Sequence, residues 1–250
     1  MKGFKAAFVF FVLYLVFLLA TIPASFVIHN IPLPKNVELG MASGSIWQGK
    51  LDTAQVDGIL IKNISWSVSF SQLLTGKAAV DFRMGSRRRL NEPYGTGTAF
   101  IGFQGMGLTQ TKLSVPASIA MPKLQALMVE SLAGTVNLDV KQYVFDQPYC
   151  AELDANVLWK QSALGVMGSQ FSLGDLKLNL ACQEGNLAVV AKGDDKVLML
   201  DVTATLKDKF RAKVDGKVKA GSEADKALMA AMSFLGRADT QGFYTLRYGS

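Results

Sequence analysis

In 250 residues the chain has one histidine, His29, and two cysteines, Cys150 and Cys182. A Ser-His-acid set needs an imidazole within a folded site, and His29 stands at the end of a long apolar run. One histidine and two cysteines also fall short of a zinc ligand set. Acidic residues are scattered through turns such as Asp194-Asp195, without the spacing of a calcium loop. The glycine-rich piece GTGTAFIGFQGMG (95–107) has no Gly-Lys-Ser/Thr ending and opens no helix, so it cannot cradle a phosphate. Glycines placed this way mark strand bulges or close backbone contacts. No catalytic, metal or cofactor residues are therefore expected, and the chain is read as a non-enzyme.

Long apolar runs are scarce too. There is one, AAFVFFVLYLVFLLATIPASFVI (6–28), entered from Lys2 and Lys5. About 20 apolar residues suffice for a helix to cross a bilayer core. The next basic residue is Lys35, so the charge bias keeps the N-terminus cytoplasmic and sends the chain after Asn30 across the membrane. A cleaved signal peptide shares the basic start, but its core usually runs only about 7–15 residues. It also wants small residues first and third before the cut. Cutting after Ala24 puts Ile22 third, and cutting after Ser25 puts Pro23 there. An uncleaved single-pass anchor over residues 1–30 is expected, with the bulk, 31–250, in an extracytoplasmic compartment.

That topology changes the meaning of the charge. A net charge of +6 would suggest nucleic acid in a cytosolic protein. Beyond a membrane no nucleic acid is met, which leaves anionic lipid or an acidic protein surface. The sharpest cluster is Arg87-Arg88-Arg89, a solvated loop and a candidate patch for an anionic partner. In an oxidising compartment two thiols in one domain usually pair, so a Cys150–Cys182 disulfide is expected. The catalytic alternative needs a thiolate beside a histidine.

From about residue 37 to 220 the pattern is overwhelmingly β. Period-two alternation is plain in Leu176-Lys177-Leu178-Asn179-Leu180 and Phe210-Arg211-Ala212-Lys213-Val214. Turn signals fall at Asp57-Gly58, Glu184-Gly185-Asn186, Gly193-Asp194-Asp195 and Asp215-Gly216. Many short strands at even spacing predict a mostly antiparallel, meandering sheet. Helices are predicted over Pro122–Ser131 and over 222–236, the second opening with a Ser222/Asp225 capping box and laid on the sheet. The segments 49–66 and 134–146 share a glycine start and alternation toward an aromatic, which suggests two similar β layers, about 37–120 and 121–250.

The most patterned segment is MASGSIWQGKL, with Gly44, Trp47 and Gly49, followed by Trp66. A tryptophan among glycines at a strand end covers a core edge. Sugar stacking would need flanking polar groups that are missing here.

Taken with the anchor, the GSIWQG segment (44–49), Trp66 and the Cys150…Trp159 strand, the chain resembles the N component of the bacterial type II secretion system. The LGDLKLNLAC block (173–182) and the ending FLGRADTQGFYTLRYG (234–249) add to the likeness. The resemblance implies a single-pass inner-membrane protein beside the machine that moves folded proteins across the outer membrane. Its partners would be other inner-membrane or periplasmic secretion proteins. More distantly the chain is similar to AsmA-type envelope proteins. That implies a curved sheet with an apolar inner face and contact with lipid or lipopolysaccharide. Period-two patterning fits a lipid-facing groove and a closed core equally well.

Overall fold

The computed structural model describes residues 2–30, 32–73, 76–89, 91–103, 105–124, 129–166, 168–208 and 211–249. Two helices come first, α1 (Lys2–Thr21) and α2 (Ala24–Asn30). The run 6–28 is thus not one helix. Pro23 has no N–H with which to continue α1, and it forms a bridge with Ser45 instead. The 20 residues of α1 rise about 30 Å, and its side chains from Phe8 to Leu19 are exposed. Among the described residues no helix is long and apolar enough to cross a membrane.

Fourteen strands follow among the described residues. The first seven are β1 (Val37–Leu39), β2 (Ala42–Gly44), β3 (Gln48–Val56), β4 (Ile59–Ser69), β5 (Lys77–Met84), β6 (Tyr94–Gly102) and β7 (Gly105–Pro116). The rest are β8 (Val129–Val144), β9 (Glu152–Val166), β10 (Ser169–Gln183), β11 (Asn186–Lys192), β12 (Leu198–Lys207), β13 (Arg211–Ala220) and β14 (Tyr244–Tyr248). They form one antiparallel sheet in chain order from β3 to β14, with β1 and β2 both paired to β3. Short hairpin turns dictate this meander. Asp57-Gly58 and Glu184-Gly185 both have positive φ at each residue, the geometry that two-residue hairpins favour. The predicted turn at Asp215-Gly216 lies instead within β13, paired to Thr203 and Val202. There the alternation of β13 overrides the Asp-Gly signal. The segments 49–66 and 134–146 also differ in build, the first spanning the β3–β4 hairpin and the second lying largely within β8.

Register sorts the side chains onto two faces. One row across β3–β10 reads Lys50, Ser65, Arg83, Thr96, Lys112, Asp139, Asn156, Asn179. The adjacent row on β7–β12 reads Leu113, Leu138, Val157, Leu178, Ala191, Val202. One face is wet and the other apolar.

A short helix packs on the apolar face. After α3 (Phe70–Leu73) and α4 (Met121–Leu124), α5 (Lys226–Met232) lies across the sheet. Its Leu228 and Met232 join Leu176, Leu198 and Val218 in a buried cluster. The helix is capped by Asp225, whose carboxylate accepts from Leu228 N–H, rather than by Ser222. It gives way to a 3-10 turn at Ser233–Leu235. The helix predicted over Pro122–Ser131 is reduced to α4, because Val129–Ser131 already belong to β8; residues 125–128 lie outside the described residues. The molecule exposes 16795 Å². A compact chain of 27.0 kDa exposes about 11,000 Å². The naked α1, exposed from Phe8 to Leu19, contributes to the difference.

Candidate functional site

The loop between β5 and β6 folds over the wet face and encloses a cleft of about 690 Å³. Its floor is built by the strand period. Tyr94, Ser114, Asn137, Leu158 and Lys177 face each other across β6–β10, beside the Lys112, Asp139, Asn156 row. Its lip is Ser86, Arg87, Arg89 and Glu92. The Arg87 guanidinium lies 5.0 Å above the Tyr94 ring. Glu92 pins the loop: Lys62 Nζ is 2.9 Å from its Oε1 and Arg89 Nη1 is 3.2 Å from its Oε2. These partners, the Lys62 hydrogen bond foremost, hold the Glu92 carboxyl below its ordinary value despite an opposing desolvation. Lys112 faces Asp139 at 3.6 Å.

Of the three arginines expected to act together, Arg87 and Arg89 line the cleft, while Arg88 is exposed and lines none of it. Sequence pattern alone does not single out Tyr94, Lys112, Asn137 or Lys177. Each sits at an alternate strand position, and only the inter-strand register shows that they converge. With two arginines, two lysines and several amides against two paired carboxylates, the cleft can hold a carboxylate or phosphate group by charge-assisted hydrogen bonds. Among the described residues no group of three His, Cys, Asp or Glu could hold a metal ion.

The tryptophan–glycine motif is a separate cluster. Trp66 lies across Gly49, where any Cβ would overlap the indole, and its Nε1–H donates to the Ile46 carbonyl at 3.1 Å. Gly44 has φ +86° and approaches Gln48 and Gly49 too closely for a side chain. Trp47 stacks at 5.2 Å on Phe70 and donates from Nε1 to the Leu19 carbonyl at 2.8 Å. Trp159 stands apart, packed against the cluster under α5, with Nε1–H donating to the Ala133 carbonyl at 2.9 Å.

Cys150 and Cys182 are disulfide-bonded, with Cα atoms 6.1 Å apart. The bridge ties the β8–β9 connection to the end of β10. Closing a 32-residue separation contributes about 3–4 kcal/mol.

The fold defines a mainly β protein with an open antiparallel sheet and an apolar N-terminal helix. The chain belongs to the family described as Type II secretion system (T2SS), protein N, which it matches over residues 35–247. It is 29% identical over 243 residues to Type II secretion system protein N of Aeromonas hydrophila, covering 96% of this chain and 94% of that one. Type II secretion system protein N of Vibrio cholerae serotype O1 is 28% identical over 225 residues, covering 89% and 88%. That of Pectobacterium carotovorum is 25% identical over 237 residues, covering 94% and 92%. No solved structure matches. The chain is thus a component of secretion machinery, with other components of that system as its partners.

Proposed function

We propose that the chain is a non-enzymatic, single-pass inner-membrane scaffold of the type II secretion system, assisting assembly of the machine that exports folded proteins. In this reading residues 1–30 are the cytoplasmic tip and anchor. Residues 31–250 form the periplasmic β domain, whose layers 37–120 and 121–250 are halves of one sheet. Lys2 and Lys5, placed before the apolar run 6–28, support the anchor and its orientation. The observation that carries the scaffolding role is the open sheet. Among the described residues β1 and β14 each pair with one strand, leaving edges to which a partner strand can add. The basic cleft supplies a second contact, suited to an acidic side chain or C-terminus.

Deleting the gene and assaying exported enzymes separately in medium and periplasm tests this. Periplasmic accumulation, with release restored by a plasmid copy, is expected. Unchanged release would overturn the role.

A lipid-handling reading draws on a different observation. Val80, Ala99, Phe100, Leu108, Tyr143 and Phe145 line an almost wholly apolar cleft of about 480 Å³. A sheet used as an amphiphile groove would carry phospholipid through purification. Its absence from the purified protein by mass spectrometry would remove that reading.

A further inference from the structure

We propose that the sheet rim next to α1 rests in the membrane interface, its apolar tips set among the lipid headgroups of the leaflet from which α1 emerges. The proposal rests on reading α1 as membrane-inserted.

Strand pairing fixes which connections share that rim. Gln48 lies opposite Ser67, Ser69 opposite Ala79, Lys77 opposite Gly102, and Gly107 opposite Val144. The start of β3, the β4–β5 connection, the β6–β7 hairpin tip and the segment after β8 therefore stand side by side. The C-terminal end of α1 meets the same rim, through Trp47 Nε1 on the Leu19 carbonyl at 2.8 Å and Ile46 N–H on the Ile22 carbonyl at 3.1 Å.

This rim is apolar where it should be wet. Phe70 is 57% exposed, Ile101 62%, Phe103 97%, Met106 52% and Phe145 42%. Single exposed apolar residues are ordinary, but five on three neighbouring connections form a patch. At the opposite rim the β3–β4, β5–β6 and β11–β12 connections carry Asp57, Arg87–Arg89 and Asp194–Lys196. Among the described residues of the connections there, the exposed large apolar ones, Met229, Phe234 and Leu235, are confined to the β13–β14 connection, away from α1.

A lipid surface is the occupant because the patch continues into α1, whose described apolar side chains are exposed along its length. Trp47 and Phe70 sit at the junction, where aromatic residues gather at a membrane boundary. Lys77 places its ammonium 5.7 Å over the Phe100 ring, beside the tips and within reach of anionic headgroups.

The full chain is reconstituted in phosphatidylethanolamine–phosphatidylglycerol vesicles with an environment-sensitive fluorophore on one introduced cysteine, the native disulfide left oxidised. Labels replace Ile101, Phe103 or Phe145 at the rim, Asp195 at the opposite rim, and Phe10 in α1. Apolar tips in an interface sink roughly 5–10 Å, so nitroxide at the headgroup should at least halve rim emission, about twofold or more, and leave Asp195 unchanged. Deep acyl-chain nitroxide should quench Phe10 most. Rim labels that behave like Asp195 while Phe10 is quenched would overturn the rim proposal and leave the anchor standing. An unquenched Phe10 would overturn both. Rim labels shielded equally in lipid and in detergent, with no nitroxide effect, would mean that protein covers the patch, and would also overturn it.

Discussion

The Asp225 carboxylate accepts the Ser172 backbone N–H at 3.1 Å, a contact between residues 53 apart in the chain. Its other oxygen accepts Leu228 N–H at 2.6 Å. One side chain therefore caps α5 and fastens it to β10. Replacing Asp225 by Ala should cost about 1–2 kcal/mol, as loss of a helix cap generally does. Replacing it by Ser should restore the cap but not the longer reach to β10. Urea unfolding of the full chain in detergent checks this, and an Ala variant as stable as the parent would refute the double role.

Trp66 and Gly49 make a tighter constraint. The indole occupies the space a Cβ at position 49 would need. Gly49→Ala should force the ring or the β3–β4 pairing to shift, at a cost of about 1–3 kcal/mol, as overpacking does. Near-ultraviolet circular dichroism should change with it. Stability and spectrum both unchanged would show the ring free to move aside.

The sheet and the cleft differ in how far they can be read from sequence, and the reason is physical. Strand alternation in β10 and β13, and the turns at Asp57-Gly58 and Glu184-Gly185, are local properties of a few residues. The sheet and its antiparallel order follow from them. The cleft does not, because it depends on register across several strands. Register there is shifted by bulges between Thr96 and Thr98 and between Val140 and Gln142. Gln110 (φ +46°) and Gln161 (φ +49°) adopt the left-handed region at such irregularities, and glutamine gives no sequence signal for it. A capping-box spacing makes Asp225 the partner of a cap begun at Ser222 and cannot say which of the two acceptors the helix uses. The apolar face looks the same in sequence whether it is covered or open.

The disulfide prediction is simple. Peptide mapping without reduction should join the Cys150 and Cys182 peptides, and free thiols in exported protein would contradict the bridge. Replacing both residues by Ser should lower stability by about 3–4 kcal/mol in the chain-entropy account. The loss should appear mainly as a lower urea midpoint.

Glu92 gives the cleft its pH dependence. Its carboxyl is held below the ordinary value of 4.5, first by the Lys62 hydrogen bond and then by Arg89, against the raising effect of desolvation. A depressed folded value means that the ionised pair stabilises the loop fully above about 4.5. That contribution fades as pH falls through the lower, folded value. The loop should therefore stay closed at neutral pH and loosen only in acid, once Glu92 takes up its proton and releases Lys62 and Arg89. Carboxyl-carbon NMR of Glu92 should place its midpoint below 4.5, and Lys62→Met should move that midpoint upward. The Tyr94 ring, under Arg87 on the same loop, should report the opening as a change in its own resonances over the same pH range. A midpoint indifferent to Lys62 would mean that the lysine does not hold the lip of the cleft.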